Sequence, residues 1–259
     1  MRFTAICLAV LAMVSFGVCK DEFVASSFVR QQLNSIGTDR ARNSVKNRYA
    51  EGAVSYEVVN GGPTRWEGVE NFASEDEKVV TLLKFPPSNY LTEWFVQNHK
   101  KVAIAPIRPG RWSAFGNFVK VHDEILTEGL WGGTLSTGWA LSRWEENHAK
   151  LTDRGLKKMD GRELRRVDYD PGRATDLEIQ LYFEPDTFRH VATVYLLYYQ
   201  PLNRVVERFS DFSTVNNLTL PRNWTIEFTT RAGRFDRFKI RQEKISHNVK
   251  FSPNNFDAP

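Results

Sequence analysis

Histidine, serine and carboxylate side chains are the groups that would carry metal or hydrolytic chemistry, and in this sequence they are dispersed. The histidines stand at 99, 122, 148, 190 and 247, with no His-Glu-x-x-His run and no Cys-x-x-Cys pair, so no local spacing gathers metal ligands. His122-Asp123-Glu124 is the densest polar run. Distant residues would have to complete a site around it, and a solvated helix face is the expectation. Ser136, in Gly133-Thr-Leu-Ser136-Thr-Gly138, lacks a glycine two residues before it and follows no strand, so it fails the pattern of an activated serine at a strand-to-helix turn. A lipid-ester hydrolase would need Ser136, His122 and an acid brought together from distant segments. Glu145 with Glu146, and Asp168 with Asp170, sit in charged surroundings that mark neither pair for acid/base work. No glycine-rich phosphate loop is present. The chain is therefore expected to have no catalytic residue, no cofactor and no metal.

Aromatic residues are the positive signal. They make up 13% of the chain, with 18 Phe and 7 Trp, enough either to fill a thick core or to line a cavity. Trp66, Trp94, Phe95, Trp112, Phe115, Phe118, Trp131 and Trp139, with Tyr90 among them, gather where strand and helix patterns alternate. If a curled sheet and its covering helices do not fully close, these eight Trp and Phe residues are the candidates to line an apolar pocket for small or acyl ligands. Ordinary core packing is the alternative.

The elements that would position them can be read from periodicity. Val24, Phe28, Val29, Leu33 and Ile36 have helical spacing and Gly37 follows as a stop. Val54, Tyr56 and Val58 alternate with polar residues before the Asn60-Gly-Gly-Pro63 turn, and Trp66 and Phe72 continue a hairpin. Strands are predicted over 77–85, 90–97 and 102–105, then a helix from Ser113 through Phe115, Phe118, Val119 and His122. A glycine-broken run, 129–138, leads to a predicted short helix over 136–146. Asp160-Gly161 marks a second hairpin. Alternating residues place strands at 177–183, 224–229 and 238–249, and 190–199 reads as apolar on both faces, hence central. The tail after Ser252 reads as frayed. Nine to eleven strands with helices inserted early and midway describe a mainly β, α+β fold, an antiparallel sheet curled around helices.

Residues 1–19 read as a secretory signal peptide: Arg2, then an apolar run from Phe3 to Val18, too short for a comfortable membrane span. Residues 20–259 are then a single exported domain, and the expected compartment is the periplasm. A lipid-anchored Cys19 would want Leu three residues before it and a small residue just before it. Phe16 and Val18 hold those places, so anchoring is the lesser expectation. Cys7 leaves with the signal, so the mature chain can form no internal disulfide. Basic residues number 35 against 31 acidic; without Arg2 the balance is 34 to 31, dispersed along the chain. That excludes a nucleic-acid footprint and leaves only transient contact with an anionic membrane surface.

The stretch Gly155-Leu-Lys-Lys-Met-Asp-Gly-Arg-Glu-Leu-Arg-Arg-Val-Asp-Tyr169, followed by Asp176-Leu-Glu-Ile-Gln-Leu-Tyr-Phe-Glu-Pro-Asp-Thr-Phe-Arg-His-Val191, resembles the LolA-like superfamily of periplasmic lipoprotein-localisation factors. The likeness is an order of features: a glycine-marked hairpin, an alternating strand, a Pro-Asp-Thr turn, another strand. It extends over about residues 24–230 with the N-terminal and mid-chain helices. Glu128-Gly-Leu-Trp-Gly-Gly-Thr-Leu-Ser-Thr-Gly-Trp139 is similar to a run in uncharacterised envelope proteins of the same shape. The resemblance implies an unclosed β-barrel covered by helices, and a non-enzymatic carrier whose apolar cavity shelters lipid or lipoprotein acyl chains. The rival expectation is a structural or signalling module, similar to regulatory envelope proteins of the same shape, that binds an envelope protein partner. No single arginine here matches the superfamily's functional arginine.

Overall fold

The computed structural model describes residues 23–60, 64–86, 92–106 and 112–257. The stretch read as a signal peptide, both cysteines and Tyr90 lie outside the described residues. The amphipathic stripe read at the N-terminus forms α1 (Ala25–Ile36), which buries Phe28, Val29 and Ile36. A short α2 (Asp39–Asn43) follows, started by Thr38, whose hydroxyl accepts from the Ala41 N–H. Five strands come next: β1 (Asn47–Val58), β2 (Thr64–Glu75), β3 (Lys78–Lys84), β4 (Glu93–Asn98) and β5 (Lys101–Ala105). Ser113 caps α3 (Ala114–Val121), and α4 (Glu124–Thr127) follows. Two single turns of 3-10 helix, Gly133–Leu135 and Ala140–Ser142, lead to the remaining strands. These are β6 (Lys150–Met159), β7 (Arg162–Asp170), β8 (Leu177–Phe183), β9 (His190–Leu197), β10 (Gln200–Val215), β11 (Leu218–Thr229) and β12 (Phe235–His247).

All twelve strands form one antiparallel sheet in the order β5-β4-β3-β2-β1-β12-β11-β10-β9-β8-β7-β6. The first and last strands pair in the middle, Val54 opposite Ile240, and join the two halves. β5 and β6 are the two edges and do not pair, so the sheet is an unclosed barrel with short helices on its inner face. Residues 106–149 connect one edge to the other, and the described part, from Trp112 onward, packs inside the curl as a plug. Phe115, Ile125, Leu126, Leu130, Trp131, Leu135 and Leu141 of this plug belong to the same buried cluster as Phe72, Phe95, Tyr195, Trp224 and Phe238 of the sheet.

Three details depart from the sequence expectations. The helix predicted over 136–146 is instead loop and 3-10 turn: Ser136 and Trp139 hold extended ψ angles of 139° and 130°, and Gly138 packs against the Asp76 backbone, where a Cβ would lie 2.2 Å from the carbonyl oxygen. β10 carries no clean alternation, since Val205 and Val206 are adjacent and a charged residue, Glu207, stands between Val205 and Phe209 on the buried row. Nor is the C-terminal tail frayed: Phe256 is 5% exposed and packs with Ala73, Val80 and Val96 on the outer face of β2, β3 and β4. A second outer cluster, Leu164, Tyr182, Val191, Ala192, Val194 and Val206, explains why β9 is apolar on both faces. Among the described residues no helix is long and apolar enough to cross a membrane.

Candidate functional site

The hollow of the sheet is the candidate site, and its contents decide what it can do. Phe95 of β4 lies 5.4 Å from Phe115 of α3 and 5.0 Å from Trp131 between ring centroids; Trp131 in turn meets Trp224 of β11 edge-on at 5.1 Å. Phe115 also contacts Phe228 and Phe238, and Phe118 contacts Phe228. In this arrangement the rings touch one another, so the plug fills the space that an acyl chain would occupy.

Each predicted lining residue has its own place. Phe95, Phe115, Phe118 and Trp131 come together in the middle of the hollow. Trp139 is buried further along, its ring tilted against that of His190 at 4.5 Å, with its indole N–H donating to Gln32 Oε1 of α1 at 3.0 Å. Trp66 stacks on Tyr56 at 5.2 Å and is only partly buried. Trp112, at the threshold of α3, donates to the Ile104 carbonyl at 2.8 Å and carries Lys120 over its ring. Trp94 is not in the hollow. It neighbours Phe95 on one strand, so the two face opposite sides, and Trp94 packs on the outer cluster around Phe256.

The plug is fastened to the sheet by hydrogen bonds from buried polar groups that the sequence reading did not single out. Arg48 of β1 donates through Nη1 to the carbonyls of Thr134 and Leu135, at 2.8 and 2.6 Å. Glu207 of β10 accepts from the Gly132 N–H and the Trp224 indole through Oε1, both at 3.0 Å, and from the Tyr195 hydroxyl through Oε2 at 2.6 Å. Trp131 donates to Thr81 Oγ1 at 2.9 Å, and the Thr137 N–H to Ser74 Oγ at 3.0 Å. Burial pushes the Glu207 carboxyl up to about 7 and lowers Arg48 to about 10. Two more acids face inward. Glu70, bonded to Gln242 across the gap left by Gly52, is pushed up to about 8, and Glu93 to about 7, both chiefly by burial. A period-two reading does place Arg48 on the apolar row of Ala50, Val54 and Tyr56, and Glu207 between Val205 and Phe209. A charge on a buried row was the available signal.

The polar run at 122–124 is not a solvated face. His122 and Glu124 are buried, because Phe118 lies under the imidazole at 4.6 Å and the loop before β8 covers them. His122 Nδ1 is 3.3 Å from Asp176 Oδ1 and 3.7 Å from Glu124 Oε1, a grouping with the span of a metal site. Arg173 already brings positive charge to it, 2.6 Å from Asp123 and 3.5 Å from Glu124. The arrangement is that of an ion-pair network tying α4 to the sheet. Ser136 Oγ accepts from the Gly138 N–H at 3.2 Å, and among the described residues no serine hydroxyl bonds a histidine. Asp168 is paired with Arg154 and Arg166, and Glu146 with Arg143, which leaves no free acid/base pair there.

No protein-family model matches the chain, and no curated protein matches its sequence. Solved structures do resemble it. A LolA superfamily protein from Nitrosomonas europaea superposes with a TM-score of 0.53 at 9% identity, covering 91% of this chain and 98% of its own. A putative outer membrane lipoprotein-sorting protein domain from Vibrio parahaemolyticus gives 0.53 at 10%, covering 90% and 97%. A DUF1329 family protein from Desulfovibrio piger gives 0.53 at 12%, again covering 90% and 97%. At such identities the likeness is one of architecture, and it runs through nearly all of the chain: the chain shares its fold with these three structures.

Proposed function

We propose that the protein is a non-enzymatic periplasmic binder that shelters lipid or lipoprotein acyl chains in the hollow of its sheet, with residues 112–149 as a plug that withdraws to admit them. The supporting observation is how the plug is held. Its polar contacts with the wall run through Arg48, Glu207, Ser74, Thr81 and Gln32, groups whose hydrogen bonds water can replace once the plug moves. A core with purely structural duties is often as stable or more so with apolar side chains in place of buried ions. The wall beneath, Phe72, Phe95, Trp224 and Phe238, is apolar, and burial of an acyl chain there contributes about 0.8 kcal/mol per CH₂. The lipoprotein-sorting description of one structural relative agrees with this reading.

The test is uptake of a fluorescent fatty acid by the purified mature chain. Arg48→Leu, which frees the Thr134 and Leu135 carbonyls, is expected to increase uptake, and a disulfide between Ser74→Cys and Thr137→Cys to prevent it. If neither the native chain nor Arg48→Leu takes up or copurifies with any acyl ligand, the reading fails.

A second reading has its own observations. The hollow is filled, and Tyr198, Tyr199 and Leu202 at the β9–β10 turn are 71%, 85% and 61% exposed. A packed interior with an exposed apolar patch is what an envelope module that binds another protein would present. Absence of lipid uptake, with loss of a purified envelope partner on changing all three residues to serine, would establish it.

A further inference from the structure

A pocket of about 440 Å³ lies where the α1–α2 turn, the start of β1 and the rim of the plug meet, and its lining includes Arg42, Lys46, Arg48, Thr137 and Arg143. Asp76 is the one acid among the described lining residues. Arg42 is paired with Asp39, and Arg143 with Glu77 and Glu146. Arg48 and Lys46 have no carboxylate partner among the described residues. Arg48 is 3% exposed, and every acceptor it uses is neutral: the two plug carbonyls, and His247 Nε2 at 3.1 Å from its Nε. Burial and the Arg48 charge itself push the His247 imidazole down to about 4, so it stays uncharged. Arg48 Nη2 has no hydrogen-bond partner among the described residues, and the hydroxyl of Thr137 is shut from solvent without one.

A guanidinium held out of water without an opposite charge is unfavourable unless an anion meets it, and its planar fork matches oxyanions. Two positive charges without carboxylate partners on one pocket fit a tetrahedral, multiply charged oxyanion better than a lone carboxylate. The volume exceeds what the bare ion needs and lies in the range of small-molecule sites. We propose that this pocket binds the phosphate group of a phosphate ester, held by Arg48 Nη2 and the Lys46 ammonium. Binding there needs no withdrawal of the plug, so the assignment stands or falls apart from acyl-chain binding.

The experiment uses the mature chain in two arms: calorimetric titration with glycerol 3-phosphate, and co-sedimentation with phosphatidylcholine vesicles with and without phosphatidylglycerol. Saturable one-site binding in either arm is expected, weakened about tenfold by Lys46→Ala, the loss of one charge-assisted contact, and further by Lys46→Glu. Lys46 is exposed, so these variants fold. Lys158→Ala, which removes the same charge from the β6 edge, should leave binding unchanged. Arg48→Lys keeps the charge, loses the fork and is expected to weaken binding as well. Titration with the soluble ester identifies a soluble ligand; sedimentation alone identifies a lipid headgroup. If neither probe binds, or if binding is indifferent to Lys46→Glu, the proposal is overturned.

Discussion

Tyr195 of β9 donates its phenolic hydrogen to Glu207 of β10 at 2.6 Å, with both side chains sealed from solvent. The same carboxylate receives the Gly132 N–H of the plug and the Trp224 indole, so one acid satisfies three buried donors on three different segments.

Glu207→Ala strands all three donors and is expected to destabilise the fold by about 3–5 kcal/mol, whereas Glu207→Gln, which keeps an acceptor for Gly132 and Trp224, should cost about 1 kcal/mol. Equilibrium denaturation in urea measures both; equal losses would show that the bonds to Oε1 do not matter.

Stability should fall as pH rises from about 6.5 to about 8.5. Glu70, Glu93 and Glu207 keep their protons in the folded chain up to about 8, 7 and 7, while in the unfolded chain they ionise near 4.5. Their contribution is complete below 4.5 and is lost as pH passes the folded values. His190 and His247, lowered to about 3 and 4, act in the opposite sense, but only below about 6.5. The window above 6.5 therefore belongs to the acids, with a total on the order of 1–3 kcal/mol. Thermal midpoints across this range, flattened most by Glu70→Gln at the alkaline end, are the check. A midpoint that rises with pH there would contradict it.

Gly129→Ala should be severe and Gly155→Ala mild, although both glycines have positive φ, 74° and 69°. A Cβ at Gly129 would lie 1.9 Å from the Gly138 carbonyl oxygen, while one at Gly155 would meet nothing within 4 Å. The expected losses are more than about 3 kcal/mol against about 1 kcal/mol, read from denaturation midpoints.

Phe256→Ala is expected to cost about 3 kcal/mol, because the ring is buried against Ala73, Val80 and Val96. A change within about 0.5 kcal/mol would return the tail to the status of a loose end.

Strands with clean alternation, such as β1, β8 and β11, and the Asp160-Gly161 hairpin were legible because period and turn chemistry agree there. β10 was not, since adjacent valines and a buried charge, Glu207, interrupt its apolar row. The aromatic residues of the hollow were recognisable as a group, yet Trp94 and Phe95 cannot share one face of a strand, a constraint that separates them. Whether the rings line a space or fill it depends on contacts between residues far apart in sequence, such as Phe95 with Trp131. Local pattern carries no trace of those.

The plug is fastened at both ends, to β5 on one margin of the sheet and to β6 on the other. Such a strap has no free tip and cannot swing away like a hinged flap. It can only bow outward, and in bowing it must lengthen its path or let the two margins approach. Any guest admitted beneath it would thus be sensed by the span between β5 and β6, and a pair of probes on those strands would report occupancy as a change in distance.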